Sequence, residues 1–402
     1  MNILIINAHS SKNKGDAGIV LSMIDAIKKH NIDCSIRIHS RFPEIDNEFY
    51  EEQVTSCVDN VSIDPDTSKI EKIGSVLRLL PYLKNLRKIK SDDYEWADVV
   101  VSCGGGFLLS HRFSVALMQH LVQIKTAFNY GKPVVIYSQS IGPFYNTYMQ
   151  KLAKEILDQV DRIFLREAVS KRWLEKIGCR NENVVLVPDS AFSMQEVSSP
   201  RIDSMMERIK ESHEGPIIGF TVRDWNFPEM KDTQAYRSKY IASIRYAIQY
   251  IHQAYKGKVL LMPQVLGPNA FNDDRIISRE VLEGVDTRIA ELLEFDFHPR
   301  ELKYLYSKMD MFVGTRMHSN IFALSNHIPT VAINYEHKTR GIMEMLGLHD
   351  FVVDISDIEP ESFIQMIHHC WQNRQELRVK LAKEIPLVVE EAELPAQILK
   401  VL

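Results

Sequence analysis

Apolar positions along the chain fall into short β-branched runs separated by longer stretches with helical spacing. Ile3 to Asn7, Ser35 to His39, Val99 to Cys103, Val134 to Ser138, Ile163 to Arg166 and Val184 to Val187 read as strands. Their alternation with helical patterns predicts a parallel sheet wrapped by crossover helices. Val99-Val100-Val101 and Val134-Val135-Ile136 lack a polar alternate, as strands buried on both faces do.

The rhythm resumes with Ile217 to Val222, a helix from about Ala235 to Tyr255, Val259 to Met262, Met311 to Val313 and Thr330 to Asn334. With 402 residues the chain exceeds what one core usually holds. The expectation is an α/β protein of two Rossmann-like lobes with parallel sheets, a GT-B-like architecture that binds ligands at the carboxyl ends of its strands. The N-terminal lobe is placed at 1–195, a polar linker at 196–215 and the C-terminal lobe at 216–402. The pattern breaks at 42–93, which is read as an insertion. Within it Lys69 to Lys90 sets Ile73, Val76, Leu77 and Leu80 among lysines and arginines, with a kink or break expected at Pro81. Two readings stand: a solvated helix laying its apolar stripe on the lobe, or contact with an anionic or lipid-linked partner at a membrane surface.

Composition narrows the function classes. Apolar residues at 45% and charged residues at 25% describe an ordinary globular protein. A net charge of −5 without a basic block gives no footprint for nucleic acid, so an anionic ligand must be met by local cations. Cys34, Cys57, Cys103, Cys179 and Cys370 are scattered and include no CxxC pair, which argues against a disulfide framework and a zinc site. The first residues read as a strand without a basic leader, and no apolar run reaches the roughly 18 residues that span a bilayer. A cytoplasmic protein is expected, at most touching the inner face of the membrane.

Candidate chemistry sits at strand ends. After the first strand, Asp16 in Asn13-Lys14-Gly15-Asp16 is expected to cap a helix and would repel a phosphate there. Gly104-Gly105-Gly106 permits either ligand approach or a tight turn, and His111 is an acceptor contact or an ordinary polar residue. Ser140 and Gly142 lie in Ser138 to Phe144, read as a cleft-lining loop. Arg166 and Asp189 follow two more strands, and Arg223 follows the first strand of the second series. The strongest constellation is Gly314-Thr315-Arg316-Met317-His318-Ser319, a cation and an imidazole at a helix N-terminus, with Lys338 at the start of the next helix.

Taken in order, Asn13-x-Gly15-Asp16, Gly104-Gly105-Gly106, Ser140-x-Gly142-Pro143, Arg166-Glu167, Asp189, Arg316-Met317-His318 and Tyr335-x-x-Lys338 resemble the polysaccharide pyruvyltransferase family over residues 13 to 338. Met317 departs from the leucine more usual between the Arg and the His, and Ser110-His111 stands where an acidic or polar residue often follows the triple glycine. The resemblance implies transfer of the enolpyruvyl unit of phosphoenolpyruvate to two hydroxyls of a sugar in a glycan or glycan precursor, giving a cyclic ketal and phosphate. Phosphoenolpyruvate is then a co-substrate, the acceptor is a sugar or lipid-linked glycan, and no metal or nucleotide cofactor is needed. His318 is carried over as general acid or base. Arg166 and Arg316 become the donor clamp, with Met317, Lys338 and Arg223 on the donor side. Asp16, Gly104, Gly105, Gly106, His111, Ser140, Gly142 and Asp189 fall to the acceptor or cleft, and cleft closure would assemble the whole. The rival readings are a nucleotide-sugar glycosyltransferase or epimerase of the same architecture, and a non-catalytic glycan-binding relative.

Overall fold

The computed structural model of the chain describes residues 1–40, 42–50, 52–56, 69–267 and 272–401. These form two compact units, neither of them continuous in sequence. The first takes Met1–Ser11, Ile19–Ser193 and Val389–Leu402; the second takes Lys12–Gly18 and Met194–Val388.

The strands of the first unit are β1 (Asn2–Ala8), β2 (Ser35–Ser40), β3 (Gln53–Ser56), β4 (Val99–Ser102), β5 (Gly105–Ser110), β6 (Val134–Phe144), β7 (Arg162–Leu165) and β8 (Val184–Leu186). They pair in parallel in the order β3-β2-β1-β4-β6-β7-β8, with β5 beside β6. Connecting them are α1 (Lys14–His30), α2 (Pro43–Asp46), α3 (Lys69–Leu83), α4 (Asp92–Trp96), α5 (Val115–Asn129), α6 (Thr147–Leu157) and α7 (Ala168–Lys176). Leu4, Ile6, Val100, Ile136 and Ile163 from the strands and Leu117, Leu121 and Ile124 from α5 form its core, which explains why the strand runs carry no polar alternate.

The second unit runs α8 (Pro200–Glu211), β9 (Ile217–Thr221), α9 (Thr233–Tyr255), β10 (Lys258–Leu261), α10 (Asp274–Leu282), β11 (Ala290–Leu292), α11 (Pro299–Ser307), β12 (Met311–Gly314), α12 (Met317–Ser325), β13 (Thr330–Asn334), α13 (His337–Met345), β14 (Val352–Asp354), α14 (Pro360–Gln372) and α15 (Arg374–Ala392). The sheet order is β11-β10-β9-β12-β13-β14, the doubly wound Rossmann order, with the switch point between β9 and β12. The last residues of α15 and all of α16 (Leu394–Gln397) belong to the first unit.

Several expectations change. The segment 196–215 is no free linker: Ile202, Met205, Met206 and Ile209 bury one face of α8 within the second unit. The segment 42–93 is not wholly an insertion, because β3 pairs in parallel with β2 and extends the sheet; its residues 57–68, Cys57 among them, lie outside the described ones. Pro81 does not break the basic helix, which runs on to Leu83; the proline removes the one ladder bond to the Leu77 carbonyl, two residues before the helix ends. The remaining cysteines, Cys34, Cys103, Cys179 and Cys370, are free thiols. Among the described residues no helix is long and apolar enough to cross a membrane.

The return of the chain to the first unit is pinned by one carboxylate. Glu393 accepts from Lys29 Nζ at 2.6 Å and pairs with His30 Nε2 at 2.8 Å, while Asn31 Nδ2 donates to the Ala396 carbonyl at 2.9 Å. Burial would raise the Glu393 pKa, but the bonds to Lys29 and His30 outweigh it and leave it below its ordinary value of 4.5. A carboxylate depressed in this way contributes stability at neutral pH that is lost as pH falls through the folded value. Glu393→Gln is expected to lower unfolding free energy at pH 7 by about 1 kcal/mol, the exposed Lys29 discounting the charge term. Urea titrations should show the variant and parent converging as pH drops below that ordinary carboxylate value.

Candidate active site

Register decides which side chains meet at the second unit's switch point. Gly314 is level with Thr221 on β9 and with Ala332 on β13. The residues just beyond, Arg223, Arg316 and Tyr335, therefore leave the sheet edge side by side.

Arg316 is the N-cap residue of α12, and its side chain is only 11% exposed. Burying a guanidinium demands a counter-charge, and Asp274 at the start of α10 supplies it. Arg316 Nη2 donates to Asp274 Oδ1 at 2.5 Å, and Nε donates to both carboxylate oxygens at 3.1 and 3.2 Å. Asp274 is fixed in turn by the backbone N–H groups of Gln264 at 3.2 Å and Val265 at 3.0 Å. Burial alone would lower the Arg316 pKa; the Asp274 charge and hydrogen bonds, with Tyr335 adding to them, leave it above its ordinary value.

The loop from β12 to α12 is held at almost every residue. Tyr240 Oη and Thr315 Oγ1 lie 2.9 Å apart, Thr221 Oγ1 and Ser319 Oγ 2.7 Å apart. Ser319 Oγ donates to the Arg316 carbonyl at 2.6 Å, and Asn320 Nδ2 to the Gly314 carbonyl at 3.1 Å. His318, the second residue of α12, rests against the first turn of α1. A Cβ placed on Gly15 would come 2.6 Å from its Cγ and 2.9 Å from its Cβ, so only glycine admits the imidazole there.

Arg223 follows β9 and stacks its guanidinium 4.1 Å from the Tyr335 ring centroid and 4.9 Å from that of Trp225. Among the described residues no carboxylate pairs with it. Lys338, second residue of α13, has Nζ 3.5 Å from Glu336. Met317 opens α12 and is buried.

The first unit treats its own cation in the same way. Leu165 is level with Gln139 and Leu186, so Arg166 emerges between Ser140 and the chain leading to Asp189. Arg166 Nη1 donates to Asp189 Oδ2 at 2.6 Å and Nε to Ser140 Oγ at 2.6 Å; Ser140 Oγ donates to Glu167 Oε2 at 2.9 Å. Both charged side chains are almost fully buried, at 5% and 2% exposure. Asp189 also accepts from the Ala191 N–H at 2.9 Å.

Other expected residues take different parts. The helix cap is Asn13, whose Oδ1 accepts the Gly15 N–H at 3.1 Å; Asp16 sits inside the first turn and accepts from Asn13 Nδ2 at 2.7 Å. An Asn one step before the helix reaches the orphan N–H groups, whereas a side chain within the turn points back past them. Ser138 to Phe144 is no loop but the second half of β6, extended by pairing with β5. The triple glycine opens that added strand: a Cβ on Gly104 would lie 2.7 Å from the Tyr137 carbonyl, and Gly105 and Gly106 begin β5. Gly142 has φ +80° and faces Trp173. His111 is exposed, its ring 5.8 Å from that of Tyr145.

Asp274 carries the site yet was not singled out from sequence. The readable signal was the doubled acid Asp273-Asp274 at a helix start: one carboxylate suffices for the cap, and Asp273 takes that duty by accepting the Arg275 N–H at 3.0 Å. Its neighbour was left for a distant partner. Among the described residues no group of three His, Cys, Asp or Glu side chains is arranged to hold a metal ion.

Removing one side of a buried ion pair strands the other. Asp274→Ala is expected to cost about 3–5 kcal/mol in urea unfolding, and combining it with Arg316→Met should restore most of that. A loss for Asp274→Ala no larger than that of an ordinary surface substitution would contradict the burial of the pair.

Comparison with known proteins shows the family and the fold. The sequence model of the family described as "Polysaccharide pyruvyl transferase" matches residues 13–337. The amylovoran biosynthesis protein AmsJ of Erwinia amylovora is 25% identical over 408 aligned residues, which take in 96% of this chain and 95% of that protein. Among solved structures, UDP-GlcNAc 2-epimerase from Neisseria meningitidis, bound to UDP-GlcNAc, superposes with a TM-score of 0.61 at 14% identity, covering 100% of both chains. Anabaena Alr3699/HepE in complex with UDP-glucose gives 0.59 at 14% identity, again over 100% of both. At such identities these structures show the fold, which is the GT-B-like class expected. With a family match spanning most of the chain, from the Asn13 cap to the α13 N-terminus beside Lys338, the protein belongs to the polysaccharide pyruvyl transferase family.

Proposed function

We propose that the chain transfers the enolpyruvyl unit of phosphoenolpyruvate to two hydroxyls of a glycan sugar, forming a pyruvate ketal and releasing phosphate. The observation that carries this reading is the convergence of Arg223, Arg316 and Tyr335 at the switch point of the second unit, with His318 on the adjoining helix turn. Phosphoenolpyruvate offers a carboxylate and a phosphate, and a parallel sheet binds anions at this edge.

The cations are not equivalent. Arg316 has Nε and Nη2 committed to Asp274, so Nη1 is its donor toward a ligand, delivered at a fixed position. Arg223 carries a charge that aromatic faces rather than a carboxylate support. It is the better-placed group to take up a new anion. Lys338 at the N-terminus of α13 assists the departing phosphate. Arg166, assigned from sequence to the donor, belongs to the first unit and is compensated there by Asp189.

The chemistry balances with His318 as acid and base. Protonation of the methylene carbon makes it a methyl group and places oxocarbenium character on the neighbouring carbon. One sugar hydroxyl adds there and loses its proton. A second hydroxyl then takes the place of phosphate, which leaves with the second proton. Close packing of His318 on Gly15 fixes the imidazole for both transfers.

The test is incubation of the purified chain with phosphoenolpyruvate and a glycoside bearing a free diol. Phosphate should appear in step with a new ketal methyl signal by NMR, and UDP-GlcNAc or UDP-glucose offered instead should release no UDP. His318→Ala is expected to lower kcat by about 10²–10⁴, and Arg223→Ala to raise the KM for phosphoenolpyruvate more than it lowers kcat. Gly15→Ala should lower kcat by displacing the imidazole. Release of UDP with no phosphate would establish the nucleotide-sugar reading instead.

A further inference from the structure

The exposed part of α3 and the turn after it present two kinds of side chain, aliphatic and cationic. Ser75, Leu79, Tyr82 and Leu83 bury the inner face, the last three in the core of the first unit. On the outer face Ile73 is 62% exposed, Leu77, one turn on, 65%, and Leu86 in the following turn 77%. Gly74 beside them has open space where a side chain would project. One exposed leucine needs no explanation, but three exposed aliphatic side chains within fourteen residues do.

Charge supplies the second observation. From Ile73 to Ser91 the sequence contains Arg78, Lys84, Arg87, Lys88 and Lys90 and no aspartate or glutamate, within a chain of net charge −5. All five cations are exposed. Arg78 Nε donates only to the Gly74 carbonyl, at 3.4 Å, and Arg87 lies 5.7 Å from the Tyr82 ring centroid. Among the described residues none of the five pairs with a carboxylate. Phosphates of a nucleic acid would leave the leucines in water, and aliphatic tips ringed by cations fit a surface with anionic groups above hydrocarbon.

We propose that this face docks on an anionic lipid bilayer, with Ile73, Leu77 and Leu86 below the headgroups and the five cations among them. The docking is independent of the donor chemistry, because none of its residues belongs to the site of the second unit.

Co-sedimentation with phosphatidylcholine vesicles containing one third phosphatidylglycerol tests it. The full chain should sediment with these vesicles, less at high salt, and stay in solution with pure phosphatidylcholine. Near an anionic surface each cation contributes about fivefold in partitioning, so Lys84→Gln/Arg87→Gln/Lys88→Gln should weaken binding about a hundredfold. Ile73→Ser/Leu77→Ser/Leu86→Ser should abolish sedimentation while thermal melting stays unchanged. Hydrogen exchange on the parent protein should slow across α3 only when the anionic vesicles are added, a readout that needs no variant to fold. Failure of the parent to sediment, or variants that sediment as it does, would overturn the proposal. So would sedimentation velocity showing that these substitutions convert a dimer to a monomer, since the occupant would then be a second copy of the chain.

Discussion

The ion pair between Arg316 and Asp274 is the constraint around which the second unit is arranged. A guanidinium withdrawn from water at a strand end has to be neutralised in good geometry, and the carboxylate doing so must itself be satisfied. Asp274 meets both demands, with backbone N–H groups of the β10 exit on one side and the fork of Arg316 on the other. Once that pair is set, the loop from β12 to α12 has a single path. Thr315, Ser319 and Asn320 lock it, and His318 is delivered onto the first turn of α1.

The first unit reaches the same solution with different parts. Arg166 leaves a strand end, Asp189 waits beyond the end of the neighbouring strand β8, and Ser140 from the middle of β6 completes the cradle. In both units a deeply placed arginine is thus a fixed, compensated dipole, whereas Arg223 keeps its charge over aromatic rings. A buried, paired arginine gives an anion direction; an arginine held only by ring faces gives it attraction.

Much of the fold could be read from the chain because parallel strands buried on both faces leave an unmistakable apolar run, and the residues at their ends are the ones a cleft can use. That rule singles out Arg316, His318, Lys338 and Arg166 as candidates. The role of Asp274 was hidden because its partner lies far along the chain and a helix start accounts for an acid without further cause. Ser140 was legible as a polar residue near a strand end but not as a strand residue, since Gly142 and Pro143 read as punctuation while pairing with β5 carries β6 through them. Gly15 read as a turn residue; the imidazole that requires it approaches from three hundred positions away in sequence.

Neither unit is made from one continuous stretch. Residues 12–18, which seat His318, come before most of the first unit in the chain, yet the unit they complete begins again only at Met194. The first unit's sheet precedes the second unit in the chain, but its closing segment, anchored through Glu393 and Ala396, comes only after it. On a ribosome the larger part of the first unit must therefore wait, unfinished, through translation of the whole second unit, and the two units mature together rather than in turn.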